Sequence, residues 1–216
     1  MTTRADGPTR LDRRKARTRR ALIDAARRIL AEQGTTEVSI QEITEAADVG
    51  FGSFYNHFET KAELFEVAAG EVLEQYGAAL DRACEGLTDS AEIYAVGVRM
   101  TARLARTQPG VARVLLEVGL SYLEAEQGLA PRALRDIERG IEAGRFTVAN
   151  PFVALASTAG CVLAFLRMSL ERPDAFDEAD ADALAEMLLR MLGMTTSSSR
   201  SVAHRALPVV EGDAPG

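Results

Sequence analysis

The chain has 216 residues, of which 47% are hydrophobic and only seven are proline, so we predict a soluble globular protein of one or two domains. Its formal net charge of −7 would argue against nucleic-acid binding if the charge were evenly spread. Residues 1–30, however, hold ten Lys and Arg against three Asp, a net +7, which leaves −14 on the remainder. One end of the chain therefore carries the charge that binds phosphate.

Residues 1–9 are a predicted disordered basic arm without an apolar run, which argues against a signal peptide or membrane anchor and makes the cytoplasm the expected location. A basic cluster comes next, made of Arg13, Arg14, Lys15, Arg17, Arg19 and Arg20. It opens a predicted helix whose apolar stripe runs from Leu22 to Leu30 and which ends at Gly34. A charge run alone is usually a solvated helix face, so the function of this cluster depends on the neighbouring elements of the chain.

Two short helices joined by a tight turn are predicted next. Ser39 can cap the first of them, in which Ile40, Ile43, Ala46 and Ala47 recur on one face. Residues 48–50, Asp-Val-Gly, interrupt the pattern, and residues 51–58 resume it for about two turns. This arrangement is the helix-turn-helix signature. The basic cluster lies directly before it, so we interpret that cluster as a nucleic-acid contact and not only as a solvated helix face.

The second short helix has an unusual polar face. Phe54 and Phe58 lie four residues apart and can anchor it to a core, whereas the residues between and beside them carry donors and acceptors. Gly50 and Gly52 each cost about 1 kcal/mol of helix propensity relative to alanine, so close backbone approach to a phosphate is the favoured explanation. A capping box at residues 60–63 starts the next helix and leaves an anion site that includes Lys61.

The run from Gly52 to Phe58, Gly-Ser-Phe-Tyr-Asn-His-Phe, followed by Lys61 and Leu64, resembles the TetR-type transcriptional regulators. The resemblance covers residues 18–65, and the alternative is an apolar turn in an ordinary helical bundle. It implies DNA-contacting residues in three groups. Ser39 and Gln41 lie near phosphate at the start of the first short helix. Phe51, Gly52, Ser53 and Asn56 face the groove, and Tyr55, His57 and Lys61 touch the DNA backbone. Gly50 is a further candidate DNA-binding residue, through close backbone approach to a phosphate.

Phe51 stands where the family often has a polar residue, so the base that it meets is open, and contact with a thymine methyl is physically allowed.

Apolar residues recur at helical spacing through the rest of the chain up to residue 192, and no segment has the pattern of a strand. The predicted fold class is therefore all-α. A long helix from residue 62 towards 87 links a DNA-binding head (residues 10–65) to a helical regulatory and dimerisation body (residues 66–194). Gly77 lies inside this helix, so Gly77→Ala is expected to stabilise it by up to about 1 kcal/mol. Further helices are predicted over 90–105, 109–124, 129–143, 151–170 and 177–192, and residues 195–216 as a disordered tail.

The helix over residues 151–170 is apolar nearly all round. Its length allows a membrane span, but small and polar residues dilute it and Arg167 interrupts it. Burial against the core and a partner subunit together is the favoured interpretation. With the helix over 177–192 it forms the predicted homodimer contact, with no membrane involved. The candidate interface residues are Phe152, Leu155, Ala156, Ala159, Gly160, Leu163, Leu184, Met187 and Met191.

Motifs for catalysis and metal binding are missing from the sequence. There are two histidines, and no glycine-rich phosphate loop, nucleophile elbow or zinc spacing. Cys84 and Cys161 are interpreted as reduced core thiols, with a redox or electrophile sensor as the alternative. We therefore predict no enzyme activity, no catalytic residue, no metal and no cofactor.

The resemblance implies a homodimeric repressor that binds a palindromic double-stranded DNA operator and is released by an unknown small-molecule effector. The alternatives are a DNA-binding regulator controlled by a protein partner or without a small ligand, and a helical enzyme or ligand carrier. Candidate effector-binding residues are those in the middle of the body that combine aromatic and polar character. They are Tyr94, Met100, Arg103, Tyr122, Phe146 and Phe165.

Overall fold

The computed structural model describes residues 9–208, and over this range the protein is all-α. Ten α-helices follow one another along these described residues. They are α1 (Arg10–Gln33), α2 (Ile40–Ala46), α3 (Lys61–Ala83), α4 (Ser90–Ala102), α5 (Leu104–Thr107), α6 (Pro109–Val118), α7 (Leu129–Glu142), α8 (Pro151–Glu171), α9 (Glu178–Met191) and α10 (Thr196–Ala203). Short 3₁₀ helices cover Phe51–Asn56, Gly119–Glu124 and Pro173–Ala175. The predicted arm at residues 1–9 lies outside the described residues except for Thr9.

Side-chain caps fix where the first helices begin. Thr9 and Asp12 form a capping box at the start of α1, so the basic cluster is helical from Arg10 onwards. Ser39 and Glu42 form a second capping box at the start of α2. α1 ends at Gly34, whose φ of 65° is left-handed, a conformation that glycine adopts without a Cβ penalty.

Two apolar cores hold the chain together. The first is built from α1, the helix-turn-helix, the amino-terminal two thirds of α3, and α6, and it includes Leu22, Phe54 and Leu64. The second lies inside the body, where α4, α7, α8, α9 and α10 meet around Ile137 and Leu189. α3 contributes to the first core along most of its length, so it joins the head to the body.

The body also touches the head through α6. Arg113 donates to the carbonyl oxygen of Ala31 at 2.8 Å, near the carboxyl end of α1. The carboxylate of Glu117 accepts from the backbone N–H of Thr36 at 3.2 Å and from its hydroxyl at 3.0 Å. The loop between α1 and α2 is therefore held by two side chains of the body.

Several predicted boundaries are corrected. The second short helix is a 3₁₀ helix over Phe51–Asn56, and the helix predicted over 109–124 ends at Val118 because Gly119 has a φ of 59°. The disordered tail predicted over 195–216 is wrong for residues 195–203. There Thr195 caps α10, and Ser199, Val202 and Ala203 are buried. The rest of the predicted tail beyond residue 208 lies outside the described residues.

α8 is long and apolar enough to cross a membrane by length and composition. Only 39% of its most apolar window is buried inside the protein, and the core helix of a soluble protein passes the same test. Ala154, Leu155, Thr158 and Leu166 form its buried side. The opposite side of α8 is exposed in the single chain and is available to a partner.

The packing of α10 on the second core predicts how a substitution there changes the free energy of unfolding. Val202→Ala removes two buried methyl groups from the second core, so it should lower the free energy of unfolding by about 1–3 kcal/mol. Ser201→Ala, at the exposed neighbouring position, is the matched control and should change it by less than about 0.5 kcal/mol. Urea unfolding of both variants provides the measurement. Equal stability of the two proteins would mean that α10 does not pack in solution.

Candidate DNA-binding head and body cavity

The 3₁₀ helix of the head is anchored on one side and open on the other. Phe54 and Phe58 are fully buried and hold it in the first core. Phe51 and Tyr55 are 54% and 58% exposed, and their ring centroids lie 6.2 Å apart in an edge-to-face arrangement. Two large aromatic side chains exposed to solvent side by side are typical of an interaction site, so this face is a candidate DNA contact.

The remaining sequence-predicted DNA contacts differ in their exposure. Ser39, Gln41, Gly50, Gly52 and Asn56 are exposed. Ser53, His57 and Lys61 are half-buried.

Gly52 is open to solvent. A Cβ built there would meet no atom within 4 Å, so the packing of this chain does not require glycine at that position. Asn56 donates from its side-chain amide to the Gly52 carbonyl at 3.4 Å, which leaves the amide oxygen open to a partner.

Lys61 has a structural role that the sequence did not indicate. Its Nζ donates to the carbonyl oxygens of Thr36 at 3.2 Å and Val38 at 3.1 Å. The ammonium group therefore fixes the loop before α2, with a third N–H left for a phosphate.

His57 lies among cations. Burial lowers the pKa of its imidazole, and the positive charges of Arg19 and Lys15 lower it further, so His57 is neutral at pH 7. Arg19 lies 4.9 Å from the centre of the Phe58 ring, in a cation–π arrangement. His57 can thus offer DNA a hydrogen bond, while the positive charge comes from α1.

The first turns of α1 form a cationic ridge of Arg10, Arg13, Arg14 and Arg17. In the part of the chain that the structure describes, none of the four makes an ion pair with a carboxylate within 4.0 Å. Arg20, one turn later, is bonded instead to Asp24 at 2.7 Å and to Glu71 of α3 at 2.8 Å. The charge available for phosphate is therefore concentrated at the amino-terminal end of α1.

A cavity of about 100 Å³ lies in the body between α3, α4, α6, α7 and α8. Most of its wall is apolar. The apolar lining includes Leu80, Ile93, Val98, Leu115, Leu129, Leu155, Val162 and Leu163. Since an apolar cavity of about 150 Å³ binds benzene, a space of this volume suits a molecule no larger than a single ring.

One end of the cavity is charged. Arg132 donates to Asp81 at 2.7 Å, Arg135 donates to the other oxygen of Asp81 at 2.9 Å, and Arg135 also donates to Asp136 at 2.9 Å. Burial raises the pKa of Asp81, but the bonds from the two arginines outweigh it and lower the pKa overall. Burial raises the pKa of Asp136. The end presents carboxylate acceptors beside guanidinium donors.

Neutral polar groups complete the wall. The Tyr94 hydroxyl is bonded to the Thr158 hydroxyl at 2.7 Å. Burial, with the nearby charges of Asp136 and Asp81, raises the pKa of the Cys84 thiol to about 11. A thiol that stays protonated at pH 7 is a poor nucleophile, so its environment favours the interpretation of Cys84 as an unreactive core thiol.

Two of the six sequence-predicted effector residues, Tyr94 and Tyr122, line the cavity. The other four, Met100, Arg103, Phe146 and Phe165, do not.

Three of those four side chains are engaged elsewhere, and we no longer propose any of the four for this cavity. Arg103 is bonded to Asp182 of α9 at 2.7 Å. Phe146 packs edge-on behind Tyr94, and Phe165 packs on Phe176.

The sequence prediction also missed the charged end of the cavity. Arg132, Arg135 and Asp136 stand at helical spacing in α7, and Asp81 follows the apolar stripe of α3. Charged residues on the inward side of an amphipathic helix were the available signal.

The residues predicted for the dimer contact divide into two sets. Leu155, Ala159 and Leu163 line the cavity, and Leu184 is half-buried in the second core. The others, together with Val153 and Met168, are exposed apolar residues of α8 and α9, and we call this set the α8–α9 face. It consists of Phe152, Val153, Ala156, Gly160, Met168, Met187 and Met191, with Phe152 63% and Met187 66% exposed.

Within residues 9–208, no group of three or more His, Cys, Asp or Glu side chains is placed to hold a metal ion. The candidate site consists of the exposed side of the helix-turn-helix, the cavity and the α8–α9 face. A helix-turn-helix with a cationic ridge, joined to a helical body with a mostly apolar cavity, defines a helix-turn-helix transcriptional regulator.

Comparison with known proteins identifies the family. Residues 22–68 match the family of bacterial regulatory proteins of the tetR type, and residues 89–205 match the "Tetracyclin repressor-like, C-terminal domain". The chain belongs to the TetR family of transcriptional regulators, and transcription regulation through DNA binding is the activity of that family.

Among curated relatives, the chain is 36% identical over 75 residues to the transcriptional repressor DhaR of Mycobacterium sp. (strain GP1). It is 42% identical over 48 residues to the transcriptional regulator AcrR of Shigella flexneri. These matches cover 35% and 22% of this chain and span only 36% and 22% of the two relatives.

Two solved structures of RolR are similar over nearly the whole chain. RolR in complex with resorcinol is 32% identical, has a TM-score of 0.68, and is matched over 92% of this chain and 99% of RolR. RolR without ligand is also 32% identical, with a TM-score of 0.75 over 89% of this chain and 100% of RolR.

The hydrogen bonds from Lys61 to two carbonyl oxygens lead to a stability prediction, and a substitution of Lys15, the other lysine of the chain, is its control. Lys61→Met leaves the Thr36 and Val38 oxygens without their donor, so the free energy of unfolding should fall by about 1–2 kcal/mol. Lys15→Met, on the exposed side of α1, should change it by less than about 0.5 kcal/mol. Chemical denaturation of the free protein measures both values. Wild-type stability of Lys61→Met would leave phosphate contact as the sole role of this lysine.

Proposed function

We propose that the protein is a homodimeric cytoplasmic repressor that binds a near-palindromic operator and is released from it by a small effector bound in the body cavity. The observation that carries this proposal is the combination in one chain of an exposed, cation-flanked recognition segment with a mostly apolar cavity of about 100 Å³ in the body. The long helix α3 lines the cavity at Leu80 and Asp81 and begins beside the recognition segment at Lys61.

In this proposal the 3₁₀ helix Phe51–Asn56 enters the major groove. Phe51, Gly52, Ser53 and Asn56 face the bases, and the open space at Gly52 lets the DNA approach the protein backbone closely. The remaining assigned groups contact phosphates. They are Ser39, Gln41, Gly50, Tyr55, His57, Lys61 and the arginines of the cationic ridge.

The α8–α9 face supports the dimer. It exposes large apolar side chains on two helices, and the small residues Ala156 and Gly160 of α8 let a second copy approach closely. An isologous pairing of this face places two heads on one side of the molecule, so two recognition segments can meet successive major grooves about 34 Å apart.

The proposed effector is a single aromatic ring that carries hydroxyl groups. The cavity has the volume for one ring, and its charged end offers the carboxylates of Asp81 and Asp136 as acceptors for hydroxyl donors. RolR, the similar protein of known structure, has been solved with resorcinol, a ring with two hydroxyls. Binding releases the operator because the effector has a higher affinity for the conformation that binds DNA poorly.

Resorcinol is therefore expected to release the protein from DNA upstream of its own gene, with operator affinity reduced about 5- to 150-fold at saturation. Benzoate keeps the ring but brings a carboxylate to Asp81 and Asp136, so it should release the operator only at far higher concentration. Electrophoretic shift at fixed salt with non-specific competitor measures both, since affinity depends on salt. Operator affinity that does not change with bound resorcinol would favour the alternative, a regulator controlled by a protein partner.

The dimer is tested best at Ala156. Ala159, also predicted for the interface, is unsuitable for this test. It is 2% exposed and lines the cavity, so Ala159→Arg would place a charge in the cavity wall. Ala156 is exposed on the α8–α9 face, so Ala156→Arg should leave the protomer folded and give monomers in sedimentation, with operator affinity lost. Ala179→Arg, at an exposed position in the first turn of α9, is the control. An intact Ala156→Arg dimer would place the interface elsewhere.

A further inference from the structure

Arg132 of α7 connects the cavity to the helix that enters the head. Its Nε donates to Asp81 at 2.7 Å, and its two terminal nitrogens donate to the two oxygens of Glu74 at 2.8 Å each. Asp81 and Glu74 both belong to α3, the helix that starts at Lys61. One guanidinium group that lines the cavity is thus bonded to two carboxylates of the connecting helix.

Gly77 provides the surface on which this guanidinium lies. It stands between Glu74 and Asp81 on the same side of α3, at steps of three and four residues. A Cβ built at Gly77 would lie 2.9 Å from Nη1 and 3.0 Å from Cδ and Cζ of Arg132. Gly77→Ala therefore adds helix propensity to α3 and also makes the Arg132 side chain shift from its present position between the two carboxylates.

The start of α7 is fastened to the same point. Glu74 accepts from the backbone N–H of Gly128 at 2.9 Å, and Arg132 donates to the Gly128 carbonyl at 2.8 Å. Hydrogen bonds from Arg132, against the opposing effect of burial, lower the pKa of Glu74, so this carboxylate is charged at pH 7. Glu74, Gly77, Gly128 and Arg132 form a unit that we call the α3–α7 clamp.

We infer that the α3–α7 clamp transmits effector binding to the head, with Arg132 as the positioning residue that both senses the ligand and holds α3. This inference rests on the proposed function of the cavity. A ligand hydroxyl bonded to Asp81 or to the Arg132 guanidinium competes for atoms that already hold α3 and α7 together. The guanidinium is planar and its donors form a rigid fork, so it cannot turn towards a ligand and keep both carboxylates in place.

Glu74 separates transmission from binding. It is bonded to Arg132 but does not line the cavity, so Glu74→Gln weakens the clamp while the cavity keeps its own side chains. The probe is resorcinol, and the measured quantity is the ratio of operator Kd values with and without saturating resorcinol. The wild-type ratio is expected between about 5 and 150, and Glu74→Gln should reduce it to below about a third of the wild-type value. The resorcinol Kd from calorimetry should stay within about threefold, because the groups that contact the ligand are retained.

Two further variants control this result. Glu66→Gln removes an exposed carboxylate from the same helix outside the clamp, and it should keep the wild-type ratio. Gly77→Ala keeps every charge but places a Cβ 2.9 Å from Nη1 of Arg132, so the guanidinium must shift, and the variant should lower the ratio as Glu74→Gln does. Thermal unfolding of each variant without ligand identifies any variant that is not folded. The two clamp variants test the inference independently, because one changes a carboxylate and the other adds a methyl group.

A wild-type ratio in both folded clamp variants would overturn the inference. So would a loss of resorcinol binding in Glu74→Gln in proportion to its loss of release, because Glu74 would then act on the cavity and not on transmission. Wild-type protein that keeps its operator at saturating resorcinol would overturn the proposed function and the clamp with it. That failure is recognised in the wild type, before any variant is compared.

Discussion

The burial of α3 along most of its length is the constraint on which the rest of the structure depends. Near its start, Leu64 and Phe65 close the first core under the helix-turn-helix, and further along Leu73 and Tyr76 continue the same core against α6. No break separates the two parts, so the head has no independent orientation relative to the body. A body that changes shape must move α3, and α3 carries the recognition segment with it.

The charges of the molecule are divided between two tasks. The arginines at the start of α1 have no carboxylate partner within the described residues and remain available to phosphate. Inside the body, arginine and carboxylate side chains are paired at helix contacts, as in the bonds of Arg99 and Arg103 to Asp182. The negative net charge therefore does not oppose DNA binding, because its cations are concentrated at one end and its buried acids are neutralised locally.

The helix-turn-helix could be predicted from the sequence because its information is local. The caps at Ser39 and Thr60, the turn at residues 48–50 and the four-residue spacing of Phe54 and Phe58 all lie within about two helical turns of the groups that they order. The tail was misjudged for the opposite reason. Ser, Thr and Arg dominate residues 195–201, and only contact with α4 and α9 makes the few apolar side chains of α10 into a buried face.

The sequence by itself determined the all-helical class, the place of the DNA-reading segment and the basic end of the chain, since periodicity, capping and charge act over a few residues. Only the tertiary structure decided which body residues surround the cavity and which face a partner. Leu155 and Ala156 are neighbours in one apolar helix, yet one lines the cavity and the other is exposed. The cavity is lined by helices that are far apart in sequence, and their relative rotation is set by packing across the whole body.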